Sequence, residues 1–322
     1  MPPCRCVGRQ DGAVAQLGER DVCNVEVVGS IPTGSTNPLK RAVVPVDRVT
    51  GRRHGRGGIE GGQGTAIKPS LALRGAGFME SLPTVIGHRG AAALAPENTS
   101  IGIRRACREG AAWVEFDVKL TRDGVPILMH DDRLGRTTNG RGKVAETTLE
   151  TIKALDAGSW FGPDFAGEPV PTLRTALKLA ADLGLGVNVE LKPCPGRAEE
   201  TAKATLEMID ELWPDDRPQP LISSFDTTSL ATVQALKPHV PRGYLCRRVP
   251  RAWRAAMERL GCTTLNVSDR WVRKAHIDAA SAAGIPVLVY TVNDPLRARS
   301  LIEAGVSAVF TDRVDTLLAA FG

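Results

Sequence analysis

From residue 84 onward, short runs rich in Val, Ile, Leu and Phe alternate with longer stretches whose apolar residues recur at helical spacing. The runs near 85–88, 113–118, 186–191, 221–224, 242–246, 264–267, 286–291 and 308–311 often lack polar alternation, as strands buried on both faces do. Amphipathic helical patterns lie between them, as at 172–183, 198–212, 227–236 and 295–304, several followed by a helix-stopping glycine. Residues 125–130 read as one further strand. Thr121-Arg122-Asp123-Gly124 before it is a tight-turn sequence, whereas a parallel crossover needs about a dozen residues or more. This strand is therefore expected to fold back antiparallel on 113–120, bringing Met129 and His130 opposite Asp117. Eight parallel strands remain, the count of an α/β (β/α)8 TIM barrel. Residues 132–171 interrupt the alternation with Gly- and Asn-rich turns and a short helical stretch near 148–154. They read as a small insertion after the second strand, an excursion over the site too short and turn-rich for a core of its own.

The first 78 residues break this pattern. They hold 14 of the 33 glycines and one aromatic, Phe78, and are expected to be a disordered leader. They also carry the whole basic excess: 11 Lys and Arg against 6 Asp and Glu, leaving 30 of each in 79–322. The body thus offers no electrostatic case for nucleic-acid binding. Val14-Ala15-Gln16-Leu17-Gly18-Glu19-Arg20 and Gly29-Ser30-Ile31-Pro32 can be reverse-translated into strings resembling two arms of a transfer-RNA gene. The expectation is a mis-called start, with Met79 as initiator and 79–322 as the folded domain. No run approaches the roughly 20 apolar residues of a membrane span, and none resembles a secretory signal. Cys107, Cys194, Cys246 and Cys262 are scattered and are expected to be reduced packing residues. These features point to a cytoplasmic protein with no stable membrane association.

Several apolar runs stop at residues that carry chemistry: Gly87-His88-Arg89-Gly90, Val114-Glu115-Phe116-Asp117, Leu128-Met129-His130-Asp131 and Val189-Glu190-Leu191-Lys192. Glu115 and Asp117 alternate on one face of a strand and point inward, which is costly for two like charges without a cation. Glu190 supplies a third carboxylate. Three oxygen ligands without cysteine suit Mg²⁺ or Ca²⁺ better than Zn²⁺. Two histidines can pass protons, and an arginine and a lysine can hold a phosphate. That inventory is nearly all that metal-assisted cleavage of a phosphodiester requires.

These residues, together with Pro96-Glu97-Asn98-Thr99, Arg136-Thr137-Thr138-Asn139-Gly140, Asp156-Ala157-Gly158-Ser159-Trp160, Ser223-Ser224-Phe225, Tyr290-Thr291-Val292-Asn293 and Phe310-Thr311-Asp312, resemble in order the glycerophosphodiester phosphodiesterases, closest to the cytoplasmic bacterial type. The resemblance implies one divalent cation, Mg²⁺ or Ca²⁺, on Glu115, Asp117 and Glu190, with Glu97 or Asn98 nearby. It implies His88 and His130 as the acid–base pair and Arg89 and Lys192 on phosphate oxygens. Phe225 and Tyr290 are either walls of the site or caps of the barrel core, and Asn293 either a helix cap or a ligand. The implied substrate is a small glycerophosphodiester, cleaved to glycerol 3-phosphate and an alcohol. The same barrel also serves sphingomyelinase-type phospholipases, and a non-enzymatic phosphate binder would lack one of the histidines or carboxylates.

Overall fold

The structure, a computed structural model, describes residues 82–321. The expectations for residues 1–78 and for a start at Met79 lie outside the described residues.

The site is set by one strand with two different faces. In β2 (Trp113–Leu120), Val114, Phe116 and Val118 project outward into the main apolar cluster beneath the helices. Trp113, Glu115, Asp117 and Lys119 share the opposite, inner face, as a side-chain period of two requires. Around β2 the sheet closes. Strands β1 (Val85–Gly87), β4 (Gly186–Leu191), β5 (Leu221–Ser224), β6 (Arg242–Cys246), β7 (Thr264–Ser268), β8 (Val287–Tyr290) and β9 (Ala308–Thr311) follow in the order β1-β9-β8-β7-β6-β5-β4-β2. All these pairings are parallel, and β1 pairs with β2 to complete the ring. This is the eight-stranded (β/α)8 barrel that the sequence predicts. Strand β3 (Pro126–Leu128) returns antiparallel on β2, with Val118 opposite Leu128, and Met129 N donates to Asp117 O at 3.0 Å.

The connecting helices are α1 (Ser100–Arg108), α2 (Leu149–Lys153), α3 (Leu173–Asp182), α4 (Ala198–Leu212), α5 (Thr227–Leu236), α6 (Trp253–Leu260), α7 (Lys274–Ser281), α8 (Pro295–Glu303) and α9 (Val314–Phe321). Four of them start at side-chain caps, on Thr99, Thr172, Asp226 and Asp294.

The barrel floor is apolar. Ile86, Trp113, Leu221, Leu288 and Phe310 fill it from five strands. Trp113 fits because Gly186 on the neighbouring strand has no side chain; a Cβ there would lie 2.2 Å from the indole. Above this floor the lining turns polar, with Asn188 level with Glu115, Ser223 level with Glu190, and Asn266 also buried.

Residues 132–171 contribute to a small buried cluster that they share with the hairpin. Leu134, Val144, Ile152, Ala157 and Val170 converge on Ile127 and Met129 of the returning hairpin arm and on Cys194. Their core is partly borrowed, so the excursion is welded to β3 rather than folded as a separate unit. Asp156 ties its far end, accepting from the backbone N–H groups of Gly158, Ser159 and Gly167 and from the Ser159 hydroxyl. Glu168 clasps the start of α1, accepting from Ile101 N at 3.0 Å.

Gly186→Ala is expected to lower stability by about 1–3 kcal/mol, because the added methyl collides with an indole that has nowhere to move. Urea denaturation monitored by tryptophan emission measures it, and an unchanged midpoint would contradict this packing.

Candidate active site

Glu115 and Asp117 stand mid-strand rather than at the strand end expected from the sequence, because β2 runs on to Leu120 to support the hairpin. They nonetheless lie at the barrel mouth. Strand β1 stops at Gly87, opposite Val114, so Glu115 is the first inner-face position above its end. Asp117 is level with Glu190 on β4. Ligand atoms of Glu115, Asp117 and Glu190 all fall within 4.8 Å of one another, and all three residues are buried.

Such proximity shifts their protonation. Burial pushes the Glu115 carboxyl up to about 8, with Asp117 and Glu190 adding like-charge repulsion. Glu190 is likewise raised by burial and by Asp117. Asp117 goes the other way. Burial disfavours its charge, but Lys192, Arg89 and His130 together with the Asn98 amide outweigh it and hold the carboxyl below its usual range. Glu115 Oε1 is buried with no hydrogen-bond partner. A cavity of about 20 Å³, room for one water-sized species, is lined by His88, Glu115 and Glu190. An orphaned oxygen, three convergent carboxylates and a cavity of that size fit a hard divalent cation.

The turn after β1 brings two more groups to the acids. His88, Arg89 and Gly90 leave the strand in a tight reversal, with Arg89 at φ 50° and Gly90 at φ 87°. A Cβ on Gly90 would lie 2.6 Å from the Gly102 carbonyl carbon, so glycine there lets the turn press onto α1. Arg89 N donates to Glu115 Oε2 at 2.9 Å. The Arg89 guanidinium reaches Glu97 at 2.8 Å and Asp117 at 3.3 Å. Lys192, just past β4, lies 2.9 Å from Glu190 and 3.2 Å from Asp117.

Each histidine is oriented by its own aspartate. His88 Nδ1 donates to Asp312 at 2.7 Å, and its Nε2 stands 3.9 Å from Glu115. His130 Nδ1 donates to Asp131 at 2.6 Å. With Nδ1 spent on a carboxylate, each ring turns Nε2 to its remaining neighbours. The two environments pull apart. Burial works against a charge on His88, but the hydrogen bond to Asp312 and the charge of Glu115 outweigh it and raise its pKa. Burial lowers His130, with the nearby cations Arg89 and Lys192 acting in the same direction against the pull of Asp117 and Asp131.

Glu97 and Asn98 come to the site but stay outside the acidic trio. Glu97 is taken up by Arg89 and by two bonds from Arg136 at 2.7 and 2.8 Å. Asn98, held at φ 56°, braces Asp117 from both ends of its amide. Phe225 is 42% exposed and so is no core cap; its ring meets Tyr290 edge-on at 5.9 Å. Lys192 Nζ lies 5.8 Å from the Phe225 ring centroid. Tyr290 lines the small cavity, and its hydroxyl donates to Cys246 O at 3.1 Å. Asn293 does not cap the following helix. Asp294 caps α8, while Asn293 donates to the free oxygen of Asp312 at 2.8 Å and accepts from Asp312 N.

Six contributors lay beyond the sequence reading. Asp312 follows an apolar run just as His88 does, and that signal could have found it. Lys119 shares the period-two face of Glu115 and Asp117 and donates to Asp132 and to Lys192 O. Asp131 and Arg136 were visible only as motif letters; Arg136 now joins Asp131 to Glu97. Trp160 and Phe161 of the excursion flank an open groove of about 420 Å³ with His88, Arg89 and Asp312.

Comparison with known proteins agrees with this geometry. The Glycerophosphoryl diester phosphodiesterase family model matches residues 88–316. A glycerophosphodiester phosphodiesterase of Caldanaerobacter subterraneus is 37% identical over 240 residues, spanning 73% of this chain and 96% of that protein. One from Bacillus subtilis is 31% identical across 71% of this chain and 83% of its own. Among solved structures, an Oleispira antarctica phosphodiesterase in complex with the product sn-glycerol-3-phosphate superposes with a TM-score of 0.73 at 41% identity, covering 74% of this chain and 97% of that one. The glycerophosphodiester phosphodiesterase of Agrobacterium tumefaciens superposes at 0.63 with 28% identity, covering 74% and 100%. The chain belongs to the glycerophosphoryl diester phosphodiesterase family.

Proposed function

We propose that the chain hydrolyses glycerophosphodiesters to glycerol 3-phosphate and an alcohol, dependent on a divalent cation, with His88 and His130 transferring the protons. The observation that carries this reading is the acidic trio with two aspartate-oriented imidazoles beside it. The product in the Oleispira neighbour supports the glycerol 3-phosphate half. A cation on Glu115, Asp117 and Glu190, either Mg²⁺ or Ca²⁺ by the oxygen donor set, would supply positive charge to the phosphodiester oxygens.

The chain's own residues account for the rest. Arg89 and Lys192 hold the phosphate against the carboxylates' field. Phe225 and Tyr290 form one wall and turn bulk water away. The adjacent glycerol hydroxyl attacks phosphorus, its proton passing to one imidazole Nε2, while the other imidazolium protonates the departing head-group oxygen. Water then adds to the cyclic phosphate with the roles reversed, and the ring opens to glycerol 3-phosphate. Asp312 and Asp131 keep each Nδ1 protonated so that Nε2 does the exchanging. We assign this chemistry to residues 79–322, since every group named lies there. A cytoplasmic setting is supported by the thiols of Cys194, Cys246 and Cys262, which form no disulfide.

His88→Ala and His130→Ala are each expected to lower kcat on glycerophosphocholine by about 10²–10⁴-fold with the fold intact. Coupled-enzyme detection of glycerol 3-phosphate and circular dichroism test this together, and near-native turnover in either variant defeats the assignment.

Because the Glu115 carboxyl is raised to about 8, it is largely protonated at pH 6 and gives up that proton as pH climbs. Cation binding is therefore expected to release protons near neutrality and to tighten between about pH 6 and 8. Calorimetry with Mg²⁺ or Ca²⁺ in two buffers of different ionisation enthalpy reads this out without any turnover. Identical heats in the two buffers would refute it.

Asp312→Asn preserves shape while removing the charge beside His88. It is expected to cut kcat at least about tenfold and to shift the pH–rate profile, leaving KM nearly unchanged. A variant whose profile overlays the native one would show Asp312 to be merely structural.

A further inference from the structure

The rim of the barrel mouth is electrostatically lopsided. On the His88 side the cations are matched by acids, since Arg89 and Arg136 both lie on Glu97. The loops after β6 and β7 differ. They carry Arg247, Arg248, Arg251, Arg270 and Arg273, all exposed. The single carboxylate within these two segments, Asp269, is taken by Arg297 at 2.7 Å, and the next cation along, Lys274, pairs with Asp278 at 2.6 Å. Among the described residues none of the five arginines has an ion-pair partner. Residues 79–322 are balanced at 30 acidic and 30 basic groups, so this excess is a local arrangement and not a property of the domain.

Trp271 gathers the two loops. The Arg248 guanidinium stands 3.6 Å from the indole centroid and that of Arg270 stands 5.3 Å away. The ring's quadrupole compensates part of the repulsion between two cations held so close, but an indole neutralises neither. The loops leave the C-terminal ends of their strands, the same end as the acidic trio. Asp269 N donates to Tyr290 O, which fixes the β7 loop against the wall of the site. Arg247 lies near enough to Tyr290 for its charge to act on the phenol. Tyr290 in turn lines the cavity beside Glu115 and Glu190.

We propose that this arginine rim is a second anion-binding subsite, continuous with the catalytic mouth through Tyr290, and that it selects glycerophosphodiesters whose alcohol carries a further phosphate. The proposal rests on the reading of the mouth as a glycerophosphodiester site. A phosphate dianion suits several converging guanidinium forks, each able to donate two parallel hydrogen bonds, better than a single-charge group does. A cationic alcohol such as choline gains nothing from this rim and is repelled by it.

The test compares three diesters of glycerol 3-phosphate, whose alcohols are choline, glycerol and glycerol phosphate, on the full chain and on the Arg248→Gln/Arg270→Gln variant. Both positions are exposed, and circular dichroism checks that the fold is kept. The native chain is expected to show a KM about tenfold lower for the phosphate-bearing alcohol than for glycerol, an advantage that shrinks as NaCl rises to about 0.5 M. The variant is expected to lose that advantage while kcat and KM on the glycerol diester stay within about twofold. Equal KM values for the two alcohols in the native chain, or equal losses on both in the variant, overturn the subsite. Turnover without discrimination removes the rim alone, whereas no turnover of any diester removes the functional reading beneath it. Flotation with phosphatidylcholine vesicles containing about 30% phosphatidylglycerol closes the remaining route. If the variant loses vesicle binding that the native chain shows, while the ratio of KM values is unchanged, the arginines face a lipid surface and the proposal is overturned.

Discussion

Three carboxylates within one ion's reach, buried at the mouth of a closed barrel, are the constraint around which this molecule is arranged. Like charges that close repel strongly once water is excluded, and no packing of neighbouring side chains removes that cost. Only protons or positive charge can. Much of the surrounding architecture supplies the second. Arg89 arrives from the turn after β1, Lys192 from the end of β4, and an arginine from the excursion anchors the acid that Arg89 also uses. The left-handed turn positions at Arg89, Gly90 and Asn98 belong to the same arrangement. They let the one connection between β1 and α1 bring a guanidinium, a backbone N–H and an amide onto Glu115 and Asp117.

The excursion is bound into this balance. Its apolar residues close on the hairpin that carries His130, so any displacement of the excursion displaces that histidine. Arg136 then links Asp131, the aspartate of His130, to Glu97, the partner of Arg89. One side chain outside the barrel thereby spans the aspartate that orients His130 and the glutamate that pairs with Arg89. At the other end of the chain Asn293 does a similar job for His88, fixing Asp312 through both of its amide atoms. The two imidazoles are held by unrelated segments, which is why their environments are free to differ.

The barrel was legible in the sequence because its strands are buried on both faces and read as unbroken apolar runs, and because Thr121-Arg122-Asp123-Gly124 is too short for a crossover. The trio was legible because carboxylates inside such runs are conspicuous. What could not be read were contacts fixed by closure rather than by neighbourhood. Asp312 lies 224 residues from His88 along the chain, and only the β1–β9 pairing brings them together. Position along β2 was misread for a related reason. Where a strand ends relative to the mouth depends on how short its neighbours are, and β1 is three residues long. The small core of the excursion escaped notice because part of it, Ile127, Met129 and Cys194, belongs to the hairpin arm and to the segment after β4. Hydrophobic counting within the segment alone undervalues a unit that borrows its partner.

The charge balance also explains how one site can be stable with and without an ion. Without one, burial and mutual repulsion keep Glu115 and Glu190 raised while Asp117 alone is held firmly ionised by Lys192 and Arg89. The site then reaches near-neutrality by holding protons. A divalent cation on the same oxygens would provide the positive charge those protons were supplying, so the carboxyls could ionise with little change in the net charge of the mouth. Protons and the cation are in this sense alternative occupants of the same oxygens. Arg89 and Lys192 remain positive in both states, since their acidic neighbours raise both groups above their ordinary values despite burial. With a cation on the trio, that positive charge would be what an incoming phosphodiester encounters. Two protons and one divalent cation carry the same charge, so the net charge of the mouth would be the same in either state, without requiring the barrel itself to move.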